Sequence, residues 1–206
     1  MTAPHSSDPP ASEPLELRVL SGPQAIGDLT LISSLATLWA DAYRSSPVAA
    51  QSEDALYSPE NEGERRRRIR AELGQASAVL IYATLGTDLI GFFWGMSLAD
   101  LRATDPLKGN DVARFIAHGT DEQVAYLSML GVHPDLKSRG LGKRLTRTLC
   151  AAFVERGFMA AIARTINELA LEKVYRPLGF KVYDQFRDPR SRGSQRFIFG
   201  SPLPLD

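Results

Sequence analysis

Cysteine is almost absent from this chain. Cys150 is the only one among 206 residues, which excludes an internal disulfide and a cysteine-built zinc cluster. Histidine is scarce too: His5, His118 and His133 show no metal-ligand spacing with one another, so no metal is expected. Net charge is missing, because 24 basic residues balance 24 acidic ones. With it goes the long-range field that draws a protein to nucleic acid or an acidic membrane. No apolar run approaches the ~20 residues that a membrane-spanning helix requires. The stretch "MTAPHSSDPPASEP" lacks the basic-then-apolar layout of a signal peptide and is rich in Pro and Ser. Residues 1–14 are therefore expected to be a disordered tail, and a cytoplasmic location is the expectation for the whole.

What is present fits one globular domain over residues 15–206. At 44% hydrophobic and 23% charged, the chain can fill one sizeable core and is short for two. "LELRVL" (15–20) alternates like a half-buried strand, and Leu29, Ile32, Leu35, Leu38 and Trp39 recur at helical spacing, with Pro47 as the latest end of that helix. Residues 56–75 read as a second helix, solvated on one side and ending near Gly74. "SAVLIYATLG" and "DLIGFFWGMSLA" read as strands joined by a hairpin turn. The stretch 100–121 is polar and helix-prone, a lid, a specificity element or only a decorated loop. "VAYLSMLGV" (124–132) is a strand, 141–156 an amphipathic helix, "FMAAIART" a buried strand and "NELALEKVYRPL" a helix capped by Gly179. "FKVYDQF" and "RFIFG" close the chain as two strands. This order predicts an α/β fold of the α+β type: one mixed sheet of about seven strands with helices on both faces.

The informative stretch is "LSMLGVHPDLKSRGLGKRL" (127–145), where a strand feeds a helix through a turn rich in Gly and cations. Such a turn collects unpaired backbone N–H groups at the positive end of a helix dipole, which suits phosphate. Lys137, Arg139, Lys143 and Arg144 add side-chain charge, so a polyanion such as a pyrophosphate fits. A P-loop would need Gly at 137 and Ser or Thr at 144, and the dinucleotide fingerprint would need Gly at 145; Lys137, Arg144 and Leu145 stand there instead.

Val132-His-Pro-Asp-Leu-Lys137-Ser-Arg-Gly140-Leu-Gly142 resembles motif A of the GNAT acyltransferases, Val-x-Pro followed by Gln/Arg-x-x-Gly-x-Gly/Ala. Asn167, Ala170, Tyr175 and "LGF" (178–180) resemble its motif B. By element order the resemblance runs from about Leu15 to Phe199. It implies acetyl-CoA or another acyl-CoA as co-substrate. Leu130, Gly131 and Val132 would lie along the pantetheine arm where strand four parts from strand five. Lys137, Ser138, Arg139, Gly140, Leu141, Gly142 and Lys143 would hold the diphosphate, with Asn167 as a further contact. Tyr175 matches the general acid that protonates the leaving thiolate. The implied reaction is direct attack by a primary amine of a small molecule; acylation of protein N-termini or lysines, and a non-catalytic acyl-CoA sensor, are the rival readings. A homodimer is compatible with the resemblance, whereas nucleic-acid and membrane partners are not expected.

Three positions depart from the pattern: Lys137 replaces Gln or Arg, the Asn167–Tyr175 spacing is one residue long, and Pro177 sits in the last turn before Gly179. Strand four carries Tyr126 and Ser128 but no carboxylate, so Glu122, Asp121 and His118 are the candidates for a general base, with none preferred. "ERRRRIR" (64–70) reads as a solvated helix face, Phe92 and Trp94 as facing opposite to Phe93, and Cys150 as a buried structural thiol.

Overall fold

A computed structural model describes residues 14–44, 61–116, 120–187 and 195–205. The expected tail, the helix end at Pro47, the start of the second helix, His118 and the loop at 188–194 lie outside the described residues. The elements are β1 (Leu15–Ser21), α1 (Gly22–Ile26), α2 (Leu29–Arg44), α3 (Glu62–Leu73), β2 (Val79–Leu85), β3 (Asp88–Ser97), α4 (Leu98–Thr104), α5 (Pro106–Ala113), β4 (Val124–Val132), α6 (Leu141–Val154), β5 (Ala160–Thr165), α7 (Glu168–Ala170), β6 (Lys181–Arg187) and β7 (Gln195–Pro202). The strands form one seven-stranded sheet in the order β1-β2-β3-β4-β5-β7-β6. Every neighbouring pair is antiparallel except β4 and β5. A parallel pair needs a crossover, and α6 supplies it.

Side-chain alternation divides the core in two. Phe92 and Trp94 face one side of β3 with Ile32, Leu35, Trp39, Ile69 and Leu73 from α2 and α3. Phe93 faces the other, where Leu145, Leu149 and Phe153 of α6 are fully buried. Each such side chain contributes about 1.5–3 kcal/mol on burial. Helices on both faces explain why β3 reads as a nearly unbroken apolar run.

One segment is helical as expected and one departs from expectation. In the helix-prone stretch α4 and α5 fold onto the α2–α3 side, burying Leu98, Leu101, Lys108 and Val112. Residues 168–178 are not one regular helix. After α7 the chain makes a π turn over Leu171–Tyr175 and a 3-10 turn over Arg176–Leu178. A π turn absorbs one extra residue without displacing the downstream chain, and so accommodates the long Asn167–Tyr175 spacing. Pro177 falls in the 3-10 turn, and Gly179 closes it with φ 87°.

Candidate active site

The turn between β4 and α6 is held open. His133 N–H donates to Ile90 O at 2.9 Å, and Leu136 and Lys137 N–H close a 3-10 turn onto His133 O and Pro134 O. Beyond it the backbone turns left-handed twice, at Ser138 (φ 66°) and Gly140 (φ 82°). Gly140 tolerates this conformation; a serine is strained by it, and strain of this kind gathers where a ligand is gripped. Arg144 is the first residue of α6 to donate within the helix, to Gly140 O at 3.1 Å. The N–H groups of residues 138–143 are left without an acceptor among the described residues. Left-handed and right-handed residues in alternation form an anion-binding nest, here capped by the dipole of a 14-residue helix. Beside it lies an apolar cleft of about 310 Å³, floored by Leu15, Leu85 and Ile90 and flanked by Arg139 and Arg144.

The adjoining strands part. β4 pairs with β5 only from Val124↔Ala160 to Leu127↔Ala163, although β4 runs on to Val132 and β5 to Thr165. The separation starts at a bulge: Trp94 pairs with Met129 and Gly95 with Leu127, so Ser128 has no partner on β3. Gly131 is required by packing, since a Cβ there would sit 2.4 Å from the Phe92 ring. Leu130 O accepts a hydrogen bond from the Tyr43 hydroxyl at 2.9 Å, and Lys137 Nζ donates to Ala42 O at 3.0 Å. Both bonds tie the end of α2 across the opening, and the Lys137 ammonium reaches α2 rather than the nest. Asn167 spends its side-chain carbonyl on capping α7, accepting from Ala170 N–H at 3.1 Å.

Tyr175 stands on the α6 face, its ring against Phe93, Phe180 and Phe199. Burial pushes its phenol well above the usual value, and neighbouring Cys150 and Tyr126 add to the rise. It is a fully protonated donor across the physiological range, and among the described residues its hydroxyl has no hydrogen-bond partner.

Comparison with known proteins agrees with this architecture. Residues 107–187 match the family model described as FR47-like protein. The polyamine N-acetyltransferase of Drosophila melanogaster superposes with a TM-score of 0.66 at 15% identity, covering 92% of this chain and 100% of that one. The PaiA N-acetyltransferase of Thermoplasma acidophilum, solved with coenzyme A, gives 0.62 at 19% identity over 92% and 99%. The ribosomal-protein-S18-alanine N-acetyltransferase of Escherichia coli gives 0.57 at 14% over 93% and 96%. No curated protein matches in sequence. A GNAT-family acetyltransferase from Desulfovibrio desulfuricans, at 16% identity, has the same fold with a TM-score of 0.57 over 93% and 100%. The chain therefore shares the fold of these N-acetyltransferases, and residues 107–187 carry the similarity to the FR47-like family model.

On this sheet the strand-four side away from α6 holds what the sequence did not disclose. Glu72 reaches in from α3, 6% exposed, accepting from Trp94 Nε1 at 2.7 Å, Arg68 Nε at 2.9 Å and the Ser128 hydroxyl. Lys108 Nζ lies 4.0 Å from its carboxylate and 5.0 Å from the Tyr126 ring centroid. Burial pushes the Glu72 carboxyl up, but Lys108, Arg68 and the bonds from Ser128 and Trp94 outweigh it and hold Glu72 at about 2. Burial pulls Lys108 down to about 8 against the attraction of Glu72.

The "solvated" helix α3 is thus two-sided. Arg66 and Arg67 pair with Glu62 and Glu64 outside, whereas Arg65 is 2% exposed and donates to Ala36 O at 2.9 Å. The signal for Glu72 was its helical spacing from Ile69 and its adjacency to Leu73 on the buried face. Of the base candidates, Asp121 pairs with Arg102, and Glu122 is exposed with its carboxyl lowered by a hydrogen bond from Thr120. Among the described residues no group of three or more His, Cys, Asp or Glu side chains is placed to hold a metal, and no helix is long and apolar enough to cross a membrane.

Proposed function

We propose that the protein is an acyl-CoA-dependent N-acyltransferase that moves an acetyl or similar acyl group directly to a primary amine of a small molecule. The observation that carries this reading is the row of unaccepted N–H groups at 138–143 beside strands that separate after Leu127↔Ala163. A diphosphate satisfies several such donors at once, and exposed strand backbone pairs with an amide-bearing arm as an added strand would. The cleft by Arg139 and Arg144 offers an apolar floor and cationic walls for a nucleotide base. The thioester supplies an activated carbonyl that a neutral amine attacks. The β4 backbone near Leu130 is the candidate donor to the oxyanion. Tyr175, desolvated and protonated, donates to the departing sulfur. Its raised pKa makes it a weak acid, so its part is to hold the sulfur by a hydrogen bond more than to deliver the proton. The polyamine N-acetyltransferase among the similar structures supports a small amine as acceptor.

The test is calorimetric titration with CoA together with thiol release over an amine panel. Wild-type protein should bind CoA and release thiol. Gly140→Val should lose CoA binding while staying folded, because nothing lies within 4 Å of a Cβ there and only the φ of 82° is violated. Tyr175→Phe should bind CoA normally and turn over about 100-fold more slowly. Retained CoA affinity in Gly140→Val would remove the assignment, and binding without any thiol release would favour the sensor reading.

A further inference from the structure

The charged cluster on the strand-four side away from α6 contains a donor that its neighbours leave idle. Arg164 is the first residue of β5 beyond its last pairing with β4, at the point where the strands part. Alternation along β5 sets it on the face of Ile162, opposite Ala163 and α6. Its side chain is 10% exposed, and its bond to Asp111 is a single contact, Nη1 to Oδ2 at 3.2 Å. Its Nε is buried and has no acceptor among the described residues. A guanidinium presents Nε–H and an Nη–H as a planar fork, the geometry that takes a carboxylate through two parallel bonds. A buried donor left unmade is costly, so the site gains when an acceptor arrives.

Charge counting in this cluster points the same way. Among the described residues Arg68, Lys108 and Arg164 face Glu72, Asp111 and Asp105 and are balanced by them, so the positive charge in excess on this face is that of Arg196. Arg196 also acts on Tyr126 within the same face. A surplus of this size matches a carboxylate better than a second cation.

We propose that the acceptor is an amine carrying a carboxylate, of the amino-acid type, and that Arg164 is the specificity residue receiving that carboxylate. This rests on the transferase reading above, with the amine reaching the thioester from the side opposite α6. It also assigns a purpose to the α4–α5 segment, which brings Asp111 and Lys108 to the acceptor side and sets the charge balance there.

The experiment measures binding to the whole CoA-loaded protein. Common α-amino acids are titrated against their decarboxylation products, with a phosphate-ester amine and a polyamine as further arms. At least one amino acid should bind wild-type protein about 10- to 100-fold more tightly than its decarboxylated partner, as two charge-assisted bonds imply. Arg164→Gln should erase that ratio at unchanged CoA affinity, and Arg164→Lys should restore part of it. Equal affinity within every pair, tighter binding of the polyamine or the phosphate ester, or a ratio that survives Arg164→Gln overturns the proposal. If Arg164→Gln does not fold, Arg164→Lys decides: a ratio unchanged from wild type overturns it. Carboxylate-selective binding that depends on Arg164, with no thiol release from any amine, would sink the transferase reading, and with it the acceptor role, while keeping Arg164 as the carboxylate-binding residue.

Discussion

Glu72 is the residue whose environment departs furthest from what its surroundings in the chain suggest. In the folded state its carboxyl is held at about 2, below the 4.5 of an unstructured glutamate. The unfolded chain therefore binds the extra proton first as pH falls. Stability from this group is complete above pH 4.5 and drains away towards pH 2. Urea titrations across that range should show wild-type protein losing stability that Glu72→Gln has already lost. At pH 7 the variant should be weaker by about 3 kcal/mol, because Lys108 and Arg68 would face a neutral amide. Cys150 illustrates the opposite pressure. Burial alone pushes its thiol up to about 12 at 1% exposure. A thiol-reactive disulfide reagent should label it at a negligible rate in native protein and promptly in urea; fast native labelling would contradict the placement.

At the scale of elements, the β4–α6 turn and the β4–β5 pair have opposite stabilities built into one stretch of chain. Residues 125–127 of β4 are paired on both sides, with β3 and with β5, and Val124 with β5. The N–H groups of residues 138–143 donate to nothing described. Amide hydrogen exchange should therefore be slow across Val124–Leu127 and Ala160–Ala163 and fast across 138–143. Addition of acetyl-CoA should slow exchange at 138–143 specifically. Exchange in the turn that does not respond to saturating ligand would place the anion elsewhere. The π turn at Leu171–Tyr175 belongs to this scale as well. It keeps Leu171, Tyr175 and Leu178 on the α6 face despite the added residue.

For the whole molecule, one sheet serves two cores. Leu145 and Phe153 lie in one and Trp39 and Ile69 in the other, yet β3 contributes to both through alternate residues. Neither core can dissolve while the shared strands persist. Leu145→Ala should cost about 2–5 kcal/mol, and unfolding followed by tryptophan fluorescence, which reports the opposite core, should shift by the same amount in a single transition. Two separated transitions would show that the faces unfold independently.

Much of this was legible because it is local. A short apolar run ending at His-Pro-Asp marked β4 at 124–132 to the residue, fourfold spacing marked α6, and "KSRGLG" announced a helix start with unpaired amides. The GNAT resemblance added the expected acyl-CoA ligand and the role expected of Tyr175. What escaped was long-range in sequence: Glu72 meets Ser128 across 56 positions, Lys137 meets Ala42 across 95, and Arg164 meets Asp111 across 53. A charged residue on an amphipathic helix reads as solvated, because nothing in its neighbourhood names the distant hydroxyl or ammonium that satisfies it. Periodicity and turn chemistry fixed the strands, the helices and the phosphate-type turn. Only the packing of α3 and α5 over the sheet decided which charges were buried together, since desolvation and pairing are properties of the assembled face.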